Sequence, residues 1–223
     1  LLLMVVDEKG QPRPLKLNLD GRMVNGYLGA ISISAAEGIT AGQRYGLSKE
    51  EAKGLRFAPV SLARFNQLLE PLLKAKPSEV GVIAPDPTQM ATAEALLTAQ
   101  KVPAAQAKQI AALQPMVFCP EPGLLVSNKA GADKSTSFIP CATEAEFVQT
   151  IVERAIKESA KIAASKPRVV AIPLNSFVAY LRSATPTQAG EIRVVPSGRI
   201  ASLIQAMNQQ KNPQQKGAGP TAK

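Results

Sequence analysis

The stretch "RFAPVSLARFNQLL", residues 56–69, returns as "RVVAIPLNSFVAYL", residues 168–181, with Arg, Leu, Phe and Leu at the same four relative positions. Each reads as a short apolar strand running into an amphipathic helix. Two further features repeat in the same order. Ser34 and Glu37 have the spacing of a capping box, and Thr143 and Glu146 repeat it 109 residues later, against 112 for the first pair of segments. The segment "EVGVIAPDPTQMATAEALL" is matched at a displacement of 111 by "EIRVVPSGRIASLIQAM": a β-rich run, a Pro, then Asp86 or Ser197 as the N-cap of an apolar-periodic helix. Three matches in one order, with offsets that differ only by loop-sized amounts, point to an internal duplication.

The expected fold is therefore α/β, with α+β character, in two related halves that each run hairpin, helix, strand, helix, strand, helix. In the first half the hairpin is "LLLMVV", "LKLNL" and "RMVNGYLGAIS", with Asp20-Gly21 as a turn. In the second it is "PMVFC", "LLVS" and "STSFIPC". The next helix of the second half should bury Phe147, Ile151, Val152, Ala155 and Ile162 as one stripe. Its first-half counterpart is weakened by Gly38, Gly42 and Gly46. The boundaries expected are 1–101 for the first half, 102–115 for a connecting helix or linker with Pro103 in its first turn, and 116–209 for the second half. Residues 210–223 form a polar tail too poor in apolar side chains to offset the entropy of ordering.

Composition narrows the chemistry. There is no His among 223 residues, which removes the commonest general base, the commonest metal ligand and every His-dependent nucleophile. Only four Asp occur, each in a turn or cap context. No enzymatic activity, cofactor or metal is expected. The formal charge is +9, spread as 13 basic against 10 acidic residues over 1–111 and 13 against 7 over 112–223. With no Trp and no run of Lys or Arg, the basic and aromatic interleaving of a nucleic-acid platform is missing, so no nucleic-acid partner is expected. The charge fits solubility and contact with an anionic surface such as a lipid headgroup layer. The opening apolar run breaks at Asp7, strand-length rather than membrane-length.

The order "VVDEKGQPRPL…DGRMVNGYLGAISISAAEG", "LRFAPVSLARFNQLL", "KPSEVGVIAPDPTQMATAEALL", and then "PMVFCPEPGLLVSN…STSFIPCATEAEFVQTI" with "RVVAIPLNSFVAYL", resembles the 22-kilodalton subunit family of the chloroplast inner-envelope translocon across most of residues 1–207. The resemblance implies a two-halved α/β protein, peripheral in the intermembrane space of the plastid envelope or in the cyanobacterial periplasm. It also implies chaperone-like escort of preproteins, with translocon subunits as partners. The glycines at 38–46, the basic balance and the polar tail depart from that pattern. They also fit a bridging subunit of a large plastid membrane complex, such as a thylakoid photosynthetic supercomplex.

Leu62, Phe65 and Leu69, with their counterparts Leu174, Phe177 and Leu181, are the candidate polypeptide-binding residues, lining a groove for a client segment. The same spacing serves equally as the core face of two helices packed on sheets, and core is the favoured expectation. Arg56 and Arg168 precede equivalent strands and read as solvated flanks or partners of an acid. Cys119 and Cys141 are expected as two buried free thiols; a disulfide would require their strands to be direct neighbours.

Overall fold

A computed structural model describes residues 2–19, 21–42, 45–128, 136–185, 191–195 and 202. Among them lie ten strands: β1 (Leu2–Val6), β2 (Pro14–Leu19), β3 (Arg22–Ala30), β4 (Arg56–Val60), β5 (Val80–Ala84), β6 (Met116–Glu121), β7 (Val126–Asn128), β8 (Thr136–Ala142), β9 (Arg168–Pro173) and β10 (Ile192–Val195). The helices are α1 (Ile33–Thr40), α2 (Lys49–Lys53), α3 (Leu62–Ala75), α4 (Met90–Ala99), α5 (Ala104–Leu113), α6 (Ala145–Glu158), α7 (Ala160–Ala164) and α8 (Leu174–Ser183). The chain is thus α/β, as the sequence leads one to expect.

The strands form two five-stranded sheets with the same pairing scheme. In the first, β1 pairs antiparallel with β3 and β4, β2 pairs antiparallel with β3, and β5 runs parallel to β3. In the second, β6 pairs antiparallel with β8 and β9, β7 pairs antiparallel with β8, and β10 runs parallel to β8. Gly26 of β3 faces both Leu15 and Val80, and Gly29 faces both Met4 and Ile83. Hence β1 and β2 share one edge of β3 and β5 takes the other. Gly21 closes the β2–β3 turn at φ +82, in the left-handed region where glycine has no Cβ penalty; Asp20 lies outside the described residues.

Alternation along β1 and β6 buries both faces of each sheet. Leu3 and Val5 meet Leu17, Leu28 and the α1 residues Ala35 and Ile39 in an outer core. On the far side, Met116 and Phe118 meet Val148 and Val152 of α6, Ala93 and Leu97 of α4, and Ala107 and Ala111 of α5. The faces between are joined: Leu2, Met4 and Tyr27 of the first sheet share one central core with Val117, Cys141 and Val170 of the second, and with Phe65 and Leu69 of α3 and Leu174 and Phe177 of α8.

The helix that follows β5 in sequence therefore packs on the other half's sheet. Two glutamines fix it there. The Gln89 Oε1 accepts from the Ala145 backbone N–H at 3.0 Å, capping α6, while its Nε2 donates to Glu146 Oε2 at 3.0 Å. The Gln100 side-chain amide pairs with Ala171 of β9 like an added strand residue, accepting its N–H at 2.8 Å and donating to its carbonyl at 3.1 Å.

Several local expectations are corrected. Helix α1 is capped by Ser32, whose Oγ accepts from Ala35 N at 3.0 Å, and not by Ser34. A reciprocal capping box forms instead at Ser48 and Glu51 of α2, and the hydrogen bonds from Ser48 hold the fully exposed Glu51 carboxyl below its usual range. Thr143 does not cap α6; its Oγ1 is buried with no hydrogen-bond partner among the described residues, and Gln89 does that work. Helix α6 buries Ala145, Val148 and Val152; of the expected stripe Val152 is buried and Ile151 and Ala155 are half-buried, but Phe147 is 37% exposed and Ile162 lies in the separate helix α7. Ser61 caps α3 as its position suggests, accepting from Arg64 N at 3.0 Å, and Asp86 caps the short 3-10 turn that leads into α4. The proposed cap Ser197 and the tail 210–223 lie outside the described residues.

Cys119 and Cys141 form a disulfide rather than two free thiols. The ladder pairs Phe118 with Ala142, which sets the two cysteines directly opposite each other on neighbouring strands, Cα atoms 4.4 Å apart. Strand β7 pairs with the part of β8 before Pro140 and does not come between them.

Two tests follow from this arrangement. Replacing Gln89 with Leu strands the buried Ala145 N–H and should cost about 1–3 kcal/mol in urea unfolding; Gln100→Leu, which uncovers the β9 edge, should cost a similar amount. Thiol titration in guanidinium should find no reactive cysteine before reduction and both after it.

Candidate functional site

The six residues marked by the repeat come together across the two halves. Phe65 and Leu69 of α3 and Leu174 and Phe177 of α8 are 3–7% exposed, and the half-buried Leu62 and Leu181 pack against them. All six belong to the central core. Glycine permits the close approach of α3 to its sheet: a Cβ on Gly29 would stand 3.0 Å from the Phe65 ring, and one on Gly81 the same distance from Leu69 Cδ1. Fully burying a Phe or Leu in this way contributes about 1.5–3 kcal/mol each. Stability is what these side chains supply first.

Their outer edges nevertheless reach an opening. An open groove of about 760 Å³ runs between α3, β5 and the end of α8; Phe65, Leu69 and Leu73 line it together with Gly81, Ile83, Asn175 and Arg182. The i,i+4 pair Lys74–Glu70, 2.7 Å, sits on its rim and holds the exposed Glu70 carboxyl below its usual range. On the opposite face of β5 a second opening of about 500 Å³ is lined by Leu19, Tyr45, Val82, Pro85, Ala112 and Leu113. Leu113 is 53% exposed there. No sequence signal marked this second opening, because its walls come from β2, the α1–α2 connection, β5 and α5.

Under the first groove, Tyr27 is buried in the central core near Glu79. Burial first, then the hydrogen bond and negative charge of Glu79, push the Tyr27 phenol above its ordinary value of 10.0, so it stays protonated. Glu79 itself is paired with Lys76 at 3.2 Å. Arg56 and Arg168 each find an acid: Arg56 lies 3.5 Å from Glu8, and Arg168 donates twice to Glu121 Oε2, at 2.9 and 2.6 Å, across the β6–β9 ladder. Both pairs are exposed, and exposed pairs contribute about 0–1 kcal/mol. Among the described residues, no group of three or more His, Cys, Asp or Glu could hold a metal ion, and no helix is long and apolar enough to cross a membrane.

The molecule is a two-sheet α/β protein whose sheets share one core and whose openings flank the parallel strand β5. That fold is the fold of Tic22. The chain is similar to the structure of Anabaena Tic22, a protein of protein transport, with a TM-score of 0.65 at 16% identity over 92% of this chain and 91% of the other. It is similar to Tic22 from Plasmodium falciparum with a TM-score of 0.59 at 13% identity, over 94% of this chain and 93% of the other. No protein-family model and no curated protein sequence matches the chain.

Phe65→Ala and Phe177→Ala should each lower stability by about 3–5 kcal/mol in denaturant unfolding, the cost of a cavity in a close-packed core. Leu73→Ala, on the half-exposed wall of the groove, should cost well under half of that.

Proposed function

We propose that this protein acts in protein import as a peripheral, non-enzymatic escort that binds polypeptide in transit across the plastid envelope, or in the equivalent cyanobacterial periplasm. The observation that carries the reading is the likeness, over more than nine-tenths of the chain, to Anabaena Tic22, a protein of protein transport. The open groove beside α3 and β5 supports it, because its apolar floor and charged rim suit an apolar segment of an unfolded chain. Under this reading the candidate residues divide their roles. Phe65 and Leu69 present groove-facing edges from a buried body, while Leu62, Leu174, Phe177 and Leu181 hold the helices in place. Preproteins and translocon subunits are the proposed partners, with the +9 charge favouring contact with anionic headgroups. The lack of any His agrees with binding rather than chemistry.

The purified protein should suppress aggregation of an unfolded client in a light-scattering assay at near-stoichiometric ratio, and photocrosslinkers at Leu73 should capture the client. If aggregation proceeds unchanged and no client is captured, the escort reading is wrong. Recovery of the protein in a fixed ratio within one native membrane complex would instead favour a bridging subunit.

A further inference from the structure

Each sheet ends in edge strands, and an edge strand exposes unpaired backbone N–H and C=O groups that proteins ordinarily guard. Most edges here are guarded. Strand β4 carries Arg56 and Pro59, β2 carries Pro14 and Lys16, and β10 carries Arg193, whose guanidinium lies 4.9 Å from the Phe138 ring. The outer side of β9 is occupied by the Gln100 amide. Strand β5, Val-Gly-Val-Ile-Ala, has no proline, no charge and no capping side chain, and it pairs only with β3 among the described strands.

The register tells which of its groups are unpaired among the described residues. The Ala84 carbonyl accepts from Ile31 N at 3.2 Å, so Val80, Val82 and Ala84 turn their backbone groups to β3 and Gly81 and Ile83 turn theirs outward. Gly81 is exposed. The two openings lie on opposite faces of this strand: Gly81 and Ile83 line the 760 Å³ groove, and Val82 lines the 500 Å³ one. A strand added beside β5 would place successive side chains alternately into the two. Both are walled by apolar residues, and the larger also carries Arg182, which has no ion pair among the described residues.

We propose that the outer edge of β5 is a strand-addition site for an extended polypeptide segment with apolar side chains on both faces and an acidic residue opposite Arg182. Backbone hydrogen bonds to Gly81 and Ile83 supply sequence-tolerant affinity, and the two openings select the side-chain pattern. This rests on the polypeptide-binding reading above and adds the mode of binding. A groove alone would accept a helix as readily as a strand; the backbone row left unpaired among the described residues is what selects an extended occupant.

The test uses the whole chain and a fluorescent octapeptide of alternating Leu and Val ending in Asp, the larger side chains for the larger opening, with two versions N-methylated at alternate amides, one set in each register. Fluorescence anisotropy should show one methylated register weakened by about tenfold or more and the other by less than about twofold. Arg182→Glu should weaken the Asp peptide by about tenfold, and a Lys-terminated peptide should regain that loss on the variant. Gly81→Pro, which removes an outward N–H, should abolish binding if the variant folds; the peptide series stands without it. Equal loss in both registers, no binding at all, or sedimentation showing β5 consumed in a dimer that the peptide does not dissociate would each overturn the proposal. Client aggregation is read separately, so a protein that suppresses aggregation without register-dependent peptide binding keeps the escort reading and loses this one.

Discussion

The central core, where the inner faces of both sheets meet α3 and α8, is the constraint on which the remaining structure depends. Leu2, Met4 and Tyr27 from one half and Val117, Cys141 and Val170 from the other bury surface that neither half could hide alone. Because β1 and β6 are apolar on both faces, each half must be covered on its second side by something else. The first half's outer face is covered by its own α1 and α2. The second half's is covered partly by α4, which comes from before the midpoint of the chain, and partly by α5 and α6. The halves repeat one pairing scheme yet are interlocked, and Gln89 and Gln100 place polar, directional bonds across the seam.

This division of labour decides what is left for binding. The side chains the repeat makes most conspicuous, the Phe and Leu pairs of α3 and α8, are spent on the core. Under the proposed function, binding falls to what surrounds them: the edges of Phe65 and Leu69, the half-exposed Leu73, and a parallel strand whose outward side pairs with no other described strand.

Much of the architecture was legible in the sequence because it is local. Alternation in "LKLNL", the Gly21 turn and the Ser61 cap all depend on near neighbours, and β2, the β2–β3 turn and α3 appear where these signals place them. What the sequence hides is non-local. Two apolar lines run side by side along α6, and only the position of the second sheet decides that Val148 and Val152 face inward while Phe147 does not. Ser32 and Ser34 are both plausible caps until the end of β3 is known. Nothing in a glutamine announces a partner 56 or 71 residues away, as Gln89 and Gln100 have. The disulfide depended on whether β7 lies between β6 and β8 or beyond them, a question of strand order that hairpin spacing leaves open. The exposed edge of β5 is hidden for the same reason, since edge and centre are properties of a sheet and not of a segment.

The claim that one shared core holds both halves is tested most directly by native-state hydrogen exchange on the amides of β1 and β6. The account predicts that Met4 and Phe118, each fully buried at the centre of its sheet, exchange only by global unfolding, with the same free energy and the same denaturant dependence. Two distinct values, with one sheet opening while the other stays closed, would show that the halves are independent domains and would contradict it.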